Sequence, residues 1–160
     1  MQLFLLLGAN LGDRVQTLAQ ARTRLVQAVG PLVGASGLYE TAPWGVTDQP
    51  TYLNQVLELD TQLTPPDVLV QTQAIEQALG RVRLHRWGAR VIDIDLLYYA
   101  DTVLQTDRLT LPHPLLHERR FTLVPLCELA PHFVHPVLHQ TSTELLQQCP
   151  DTGEVSRFVG

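Results

Sequence analysis

Apolar and polar residues alternate along the chain with periods that change from segment to segment. Residues 2 to 8, "QLFLLLG", form an apolar run too short for a buried helix and read as a core strand, with Gly8 and Gly12 in the turn after it. From 13 to 29 the period is helical. Leu18, Ala21, Leu25 and Val29 share a stripe, and Gly30-Pro31 stops it. Residues 32 to 41 and 52 to 63 read as two strands joined by the loop "APWGVTDQP". Thr64-Pro65-Pro66-Asp67 is a helix start with a hydroxyl cap, Pro in the first turn and an acid beside it. That helix runs to Gly80 with Val68, Thr72, Ile75 and Leu79 as its buried stripe, leaving Gln73 and Glu76 off the stripe and one turn apart. Residues 91 to 99 form the next strand.

The order β-α-β-β-α-β predicts an α+β fold with a ferredoxin-like core: an antiparallel sheet with helices on one face. "LPHPLLHERRF", a short apolar segment and a polar tail then decorate that core, with a small helix at 142 to 149.

Composition narrows the class. A chain of 160 residues, 45% hydrophobic and 17% charged, fits one globular domain over 1–160. No apolar run reaches the roughly 18 residues of a membrane span, and the N-terminal run lacks the basic flank of a signal peptide. Two cysteines, Cys127 and Cys149, form no disulfide framework, and the expectation is a cytoplasmic protein. A net charge of −5 excludes a general nucleic-acid binder. The positive charge is nevertheless concentrated: residues 81 to 120 carry seven of the eleven arginines, and the chain contains no lysine. One basic zone on an acidic protein points to a small anionic ligand.

Within that zone lies "GRVRLHRWGARVIDIDLLYY", residues 80 to 99. Strand alternation puts Ile92, Ile94, Leu96 and Tyr98 on a core face and Val91, Asp93 and Asp95 on the other. The two aspartates stand about 7 Å apart at Cα and aim at one point. Hard carboxylate oxygens in this arrangement suit Mg²⁺, which keeps its waters and shares them with phosphates. Taken alone, D-x-D also fits an exposed face of salt-bridged acids, and an arginine run also fits a solvated surface. Arg81, Arg83, Arg86 and Arg90 directly before the aspartates shift the balance, because forked guanidinium donors grip phosphate oxygens bidentately. Carboxylates for a metal beside such a loop make a phosphoryl-transfer site. The chain has no G-x-x-x-x-G-K-[ST], and "GANLGD" has neither the lysine nor the spacing of a known phosphate loop. His132, His135 and His139 have helical metal spacing, but Pro131 and Pro136 break the helix they would need. Cys127 reads as a small core residue.

"RWGARVIDIDLL" resembles the signature of the 6-hydroxymethyl-7,8-dihydropterin pyrophosphokinase family of folate synthesis. "GANLGDR", "YETAPWG", "DQPTYLNQV", "IEQALGRVR", "LPHPLLHERRF" and "LVPLCELAP" follow in the family's order, over roughly residues 3 to 131. The resemblance implies transfer of pyrophosphate from ATP to 6-hydroxymethyl-7,8-dihydropterin by a cytoplasmic monomer with no nucleic-acid or membrane partner. It implies two Mg²⁺ ions on Asp93 and Asp95, and Arg81 and Arg90 as catalytic loop residues. Gln73, Glu76, Arg83, Trp87, His113, Arg119 and the backbone at Leu96 and Thr110 would meet ATP. Thr41, Ala42, Trp44, Tyr52, Asn54, Trp87 and Phe121 would form the pterin pocket, with Tyr52 and Phe121 sandwiching the ring. The sequence departs from the family pattern at Ala9, Leu84 and Pro114, where some members carry serine, lysine and tyrosine. A D-x-D glycosyltransferase would need a nucleotide-sugar domain that this chain lacks room for, and a ligand-sensing module would not need the paired aspartates.

Overall fold

The computed structural model describes residues 1–42, 51–80 and 91–159. Strand β1 (Gln2–Ala9) is followed by helix α1 (Arg14–Ala28), strands β2 (Leu32–Ala35), β3 (Tyr39–Thr41) and β4 (Tyr52–Asp60), and helix α2 (Pro65–Ala78). Next come β5 (Asp93–Tyr99), β6 (Leu104–Gln105), β7 (Thr110–Leu111), helices α3 (Arg120–Leu129) and α4 (Ser142–Gln148), and β8 (Val155–Arg157). The main sheet runs β5-β1-β4-β3-β8, with β2 also on β4, and its pairings are antiparallel. β6 and β7 form a separate small ribbon.

The first two helices both begin at a side-chain cap, at Thr64 as predicted and at Asp13. The Asp13 carboxylate accepts from Gln16 N at 3.1 Å, and the Thr64 hydroxyl accepts from Asp67 N at 3.4 Å ahead of Pro65. On α1, Leu18, Ala21, Leu25 and Val29 are all buried, as their spacing predicts.

The apolar stretch at 32–41 is two strands and not one. The Ser36 hydroxyl accepts from Val56 N at 2.9 Å, so a side chain takes a ladder bond and the backbone breaks through Ser36–Leu38. The third long strand stops at Asp60 and not at 63, because Thr61 turns inward to donate from its hydroxyl to Val29 O at 2.8 Å.

Helices cover both faces of the sheet, which corrects the expectation of helices on one face. α1 and α2 pack on Leu3, Leu5, Leu7, Leu57 and Ile94. On the reverse face α3 and α4 bring Leu123, Leu126 and Leu145 against Phe4, Leu6 and Val56. The C-terminal third is thus the second half of the core. Tyr98 is a further correction. In the β1–β5 register Phe4 faces Tyr98 and Leu5 faces Leu96, so Leu97 is an extra residue, a bulge. The bulge flips the alternation, and Tyr98 packs with Phe4 on the α3 face, away from Ile92, Ile94 and Leu96.

Candidate active site

The α3 face changes character along its length. In the register, Leu6 is flanked by Val56 and Asp95, and Gly8 by Asn54 and Asp93. Thr41 pairs with Tyr52 and Tyr39 with Asn54. Paired residues in antiparallel strands point to the same side. Thr41, Tyr52, Asn54, Asp93 and Asp95 therefore share one face, beyond the part that α3 covers. Asp93 and Asp95 are half-buried there.

Gly8 is the floor between the two halves. A Cβ on Gly8 would lie 2.8 Å from Asn54 Oδ1 and 4.0 Å from Tyr52 Cδ1. Only a residue with no side chain lets the Asn54 carboxamide, 4% exposed, lie across that strand. Its Nδ2 donates to Thr41 Oγ1 at 3.4 Å. From the other face Arg14 fixes the strand ends just ahead of Thr41 and Tyr52. Its Nη1 donates to Glu40 Oε2 at 3.1 Å, Thr51 O at 2.9 Å and Thr51 Oγ1 at 2.7 Å. The Thr51 hydroxyl, which donates to Glu40 Oε2 at 2.7 Å, and then Arg14 hold the Glu40 carboxyl below its ordinary pKa.

Phe121, in the first turn of α3, lines a pocket with Thr41 and Ala42 that Asp151, Gly153, Glu154 and Val155 also line. The Arg119 guanidinium lies over the Phe121 ring at 5.6 Å from its centroid.

β5 is an edge strand, and its outer edge is where the other predicted residues gather. Glu76 is buried and its Oε2 accepts from Ile94 N at 2.9 Å, so it lies on the packed side of α2 and not off its stripe. That bond shows the Ile94 N–H pointing away from β1, and alternation turns the Leu96 N–H to the same edge. Gln73, one turn earlier on α2, is exposed. Thr110, in β7, is half-buried. His113 N donates to Leu97 O at 3.0 Å, tying the segment after β7 to β5. His113 Nδ1 accepts from Leu115 N at 3.1 Å, which leaves Nε2 as the protonated nitrogen of the neutral ring. Burial, helped by Arg119, holds its pKa down at about 4, so the ring stays neutral near pH 7.

Arg81, Arg83, Arg86, Trp87, Arg90 and Trp44 lie outside the described residues. Sequence reasoning missed Gly8, Asn10 and the segment after residue 150. Asn10 is fully buried directly after β1, and among the described residues neither carboxamide atom has a hydrogen-bond partner. Such a group costs roughly 1–3 kcal/mol unless a ligand or water meets it. The only sequence signal was the small-residue pair preceding it in "GANLGD".

Among the described residues no three His, Cys, Asp or Glu side chains converge as a metal site. Asp93 and Asp95 can supply only part of a coordination shell, with waters and phosphate oxygens supplying the rest. Mg²⁺ prefers that arrangement.

Residues 4–131 match the sequence profile of the 7,8-dihydro-6-hydroxymethylpterin-pyrophosphokinase (HPPK) family. The chain belongs to that family. Its HPPK relatives include the 2-amino-4-hydroxy-6-hydroxymethyldihydropteridine pyrophosphokinase of Methylorubrum extorquens, 48% identical over 82% of this chain and 84% of that one. The enzyme of the same name from Haemophilus influenzae is 42% identical over 92% of each chain. Folic acid synthesis protein FOL1 of Dictyostelium discoideum is 38% identical over 95% of this chain, which spans 23% of that longer protein. In three dimensions the wild-type HPPK-DHPS of Plasmodium falciparum superposes with a TM-score of 0.74 at 16% identity, over 92% of this chain and 44% of that one. That likeness shows the HPPK fold.

Proposed function

We infer that this chain is an ATP-dependent pyrophosphokinase of folate synthesis, transferring pyrophosphate from ATP to 6-hydroxymethyl-7,8-dihydropterin and releasing AMP. The observation that carries the reading is the pairing of Asn54, Gly8 and Asp93 across three adjacent strands. It sets a ring-reading amide beside a pair of carboxylates at the distance of two strands, roughly 10 Å. We read 1–160 as one pyrophosphokinase domain, supported by two cores that share a single sheet. We read its β-α-β-β-α-β core as ferredoxin-like and the enzyme as a monomer working in the cytoplasm. Among the described residues no helix is long and apolar enough to cross a membrane.

In this reading the pterin lies between Tyr52 and Phe121, with Asn54 and Thr41 on its polar edge and Ala42, Trp44 and Trp87 around it. A flat ring gains from aromatic faces on either side, and the amide supplies discrimination. ATP lies along the outer edge of β5, its adenine at the Leu96 and Thr110 backbone and its ribose near Gln73 and Glu76. Because Glu76 is already engaged on Ile94 N, its contribution is to hold the strand that carries both aspartates. Neutral His113 donates from Nε2 to a phosphate oxygen, and Arg119 supplies charge beside it. Arg81, Arg83 and Arg90 complete the grip.

The pterin hydroxymethyl oxygen attacks the β-phosphorus as the bond to the AMP oxygen breaks in line. Asp93 and Asp95 would hold two Mg²⁺ ions, which offset charge on the triphosphate and the leaving oxygen. A loose transition state needs little early proton removal, so no side chain is assigned as base. Incubation with Mg-ATP and the dihydropterin, followed by nucleotide analysis, tests the reading. AMP released only with the pterin supports it, whereas ADP or free phosphate overturns it.

A further inference from the structure

The pocket at Phe121 is lined by Thr41, Ala42 and Phe121 together with Asp151, Gly153, Glu154 and Val155, a segment that lies beyond the residues matched by the family profile. That segment is fastened along the whole of α3. At the helix start, the N-cap residue Arg119 provides no side-chain cap. Asp151 stands in for one: its Oδ2 accepts from Arg120 N at 3.1 Å while its Oδ1 accepts from Gly153 N at 2.8 Å. At the helix end, Glu128 Oε1 accepts from Arg157 Nη1 at 2.9 Å and Oε2 accepts from Gly37 N. Between these two fastenings β8 pairs with β3, placing Val155 opposite Thr41.

We propose that this C-terminal segment is a working wall of the pterin pocket and that Asp151 is the positioning residue for Phe121. The reasoning is mechanical. A helix start without a cap frays, because its first N–H groups have no internal partners. Phe121 lies in that first turn, directly after the residue whose N–H Asp151 holds. A negative carboxylate there is also favoured by the helix dipole. Loss of Asp151 loosens the turn that carries one aromatic face of the sandwich, together with the Asp151–Val155 segment that lines the pocket beside it. The inference rests on the pterin-pocket reading above.

The test compares Asp151→Ala and Asp151→Asn with the parent protein. Pterin affinity is titrated in the presence of a non-hydrolysable Mg-ATP analogue, affinity for that analogue is titrated alone, and kcat and KM follow from AMP release. Asp151→Ala is expected to weaken pterin binding roughly fivefold, the size of one lost cap. Analogue binding stays within about twofold, and Asn, which keeps an acceptor oxygen, restores most of the loss. Arg157→Ala, which frees the segment at its far end on an exposed side chain, should raise the pterin KM in the same direction without touching the pocket. It stands in should Asp151→Ala fail to fold. Pterin binding at parental strength in the folded variants overturns the proposal. So does equal weakening of both ligands with a lowered melting temperature, which would make Asp151 purely structural. A parent that releases no pterin-dependent AMP sinks the functional reading first, and the proposal falls with it.

Discussion

Strand β1 serves two different regions of the molecule with alternate residues. Leu3, Leu5 and Leu7 face α1 and α2, and each is fully buried in an apolar layer that runs the length of the strand. Phe4, Leu6 and Gly8 face the other way, and their surroundings change with position. Phe4 and Leu6 lie under α3 and α4, whereas Gly8 lies between Asn54 and Asp93. The first face is covered from end to end and works as a core. On the second, among the described residues, α3 and α4 cover Phe4 and Leu6, and polar neighbours begin at Gly8. The site is therefore an unfinished part of a core, held rigid because the same backbone finishes the opposite one.

The sharpest way to break this comparison is to change the chemistry without changing the packing. Asp93→Asn and Asp95→Asn keep shape and remove one charge from a half-buried position. Each should lower kcat/KM on the order of a hundredfold or more at saturating Mg²⁺, about 3 kcal/mol of transition-state stabilisation. The melting temperature should hardly move. Normal turnover in both variants would remove the metal assignment.

The complementary change is on the covered face. Leu5→Ala empties a fully buried position in the α1 and α2 layer and should cost about 3 kcal/mol of folding stability, read as a lowered urea midpoint. The kinetic constants of the folded enzyme should stay near parental. A large change in pterin KM would mean that the two faces are not separable.

Much of this division was legible in the sequence, because it rests on period. The spacing of Leu18, Ala21, Leu25 and Val29 marked one side of α1, and alternation separated Asp93 and Asp95 from Ile92 and Ile94. What escaped depends on tertiary geometry. The Leu97 bulge that turns Tyr98 over leaves no trace in a run of apolar residues. Glu76 reads as a surface residue until an edge-strand N–H needs its carboxylate. Pro125 lies within α3 and interrupts the local signature of the helix that covers the second face. The Asp151–Val155 wall has no periodicity at all, since it is defined by what it touches at both ends of α3.

Smaller effects probe the join between the regions. Asn54→Ala should weaken pterin binding roughly thirtyfold, about 2 kcal/mol for unpaired polar groups in an enclosed site, and leave nucleotide binding nearly unchanged. Gly8→Ala acts on the same amide from below. Its methyl group would lie 2.8 Å from Asn54 Oδ1, so the carboxamide must shift. An overpacking cost of about 1 kcal/mol predicts roughly fivefold weaker pterin binding. If Gly8→Ala lost nucleotide and not pterin, Gly8 would belong to the other half of the site.

The finest comparison is between two histidines, one in each region. Burial holds His113, beside the site, and His135, in the α3 layer, down at about 4. His135 Nδ1 accepts from Val137 N at 3.1 Å and Leu138 N at 3.0 Å, bonds that a proton on that nitrogen would break. A folded pKa below the unfolded value means that the unfolded chain binds the extra proton. The stabilisation is therefore complete above the unfolded pKa of 6.5 and is lost as the pH falls towards 4. His135→Asn keeps an acceptor near Nδ1 and removes the titration. The stability of this variant, read from its urea midpoint, should fall less steeply with acid than that of the parent, by at most about 1.4 kcal/mol per pH unit, the slope of one proton. Its pH–rate profile should match the parent's, because the burial and the Arg119 charge that lower the His113 pKa are untouched by the substitution. A rate profile that moved with His135→Asn would show that titration in the covered layer reaches the chemistry, and the separation of the two regions would fail there.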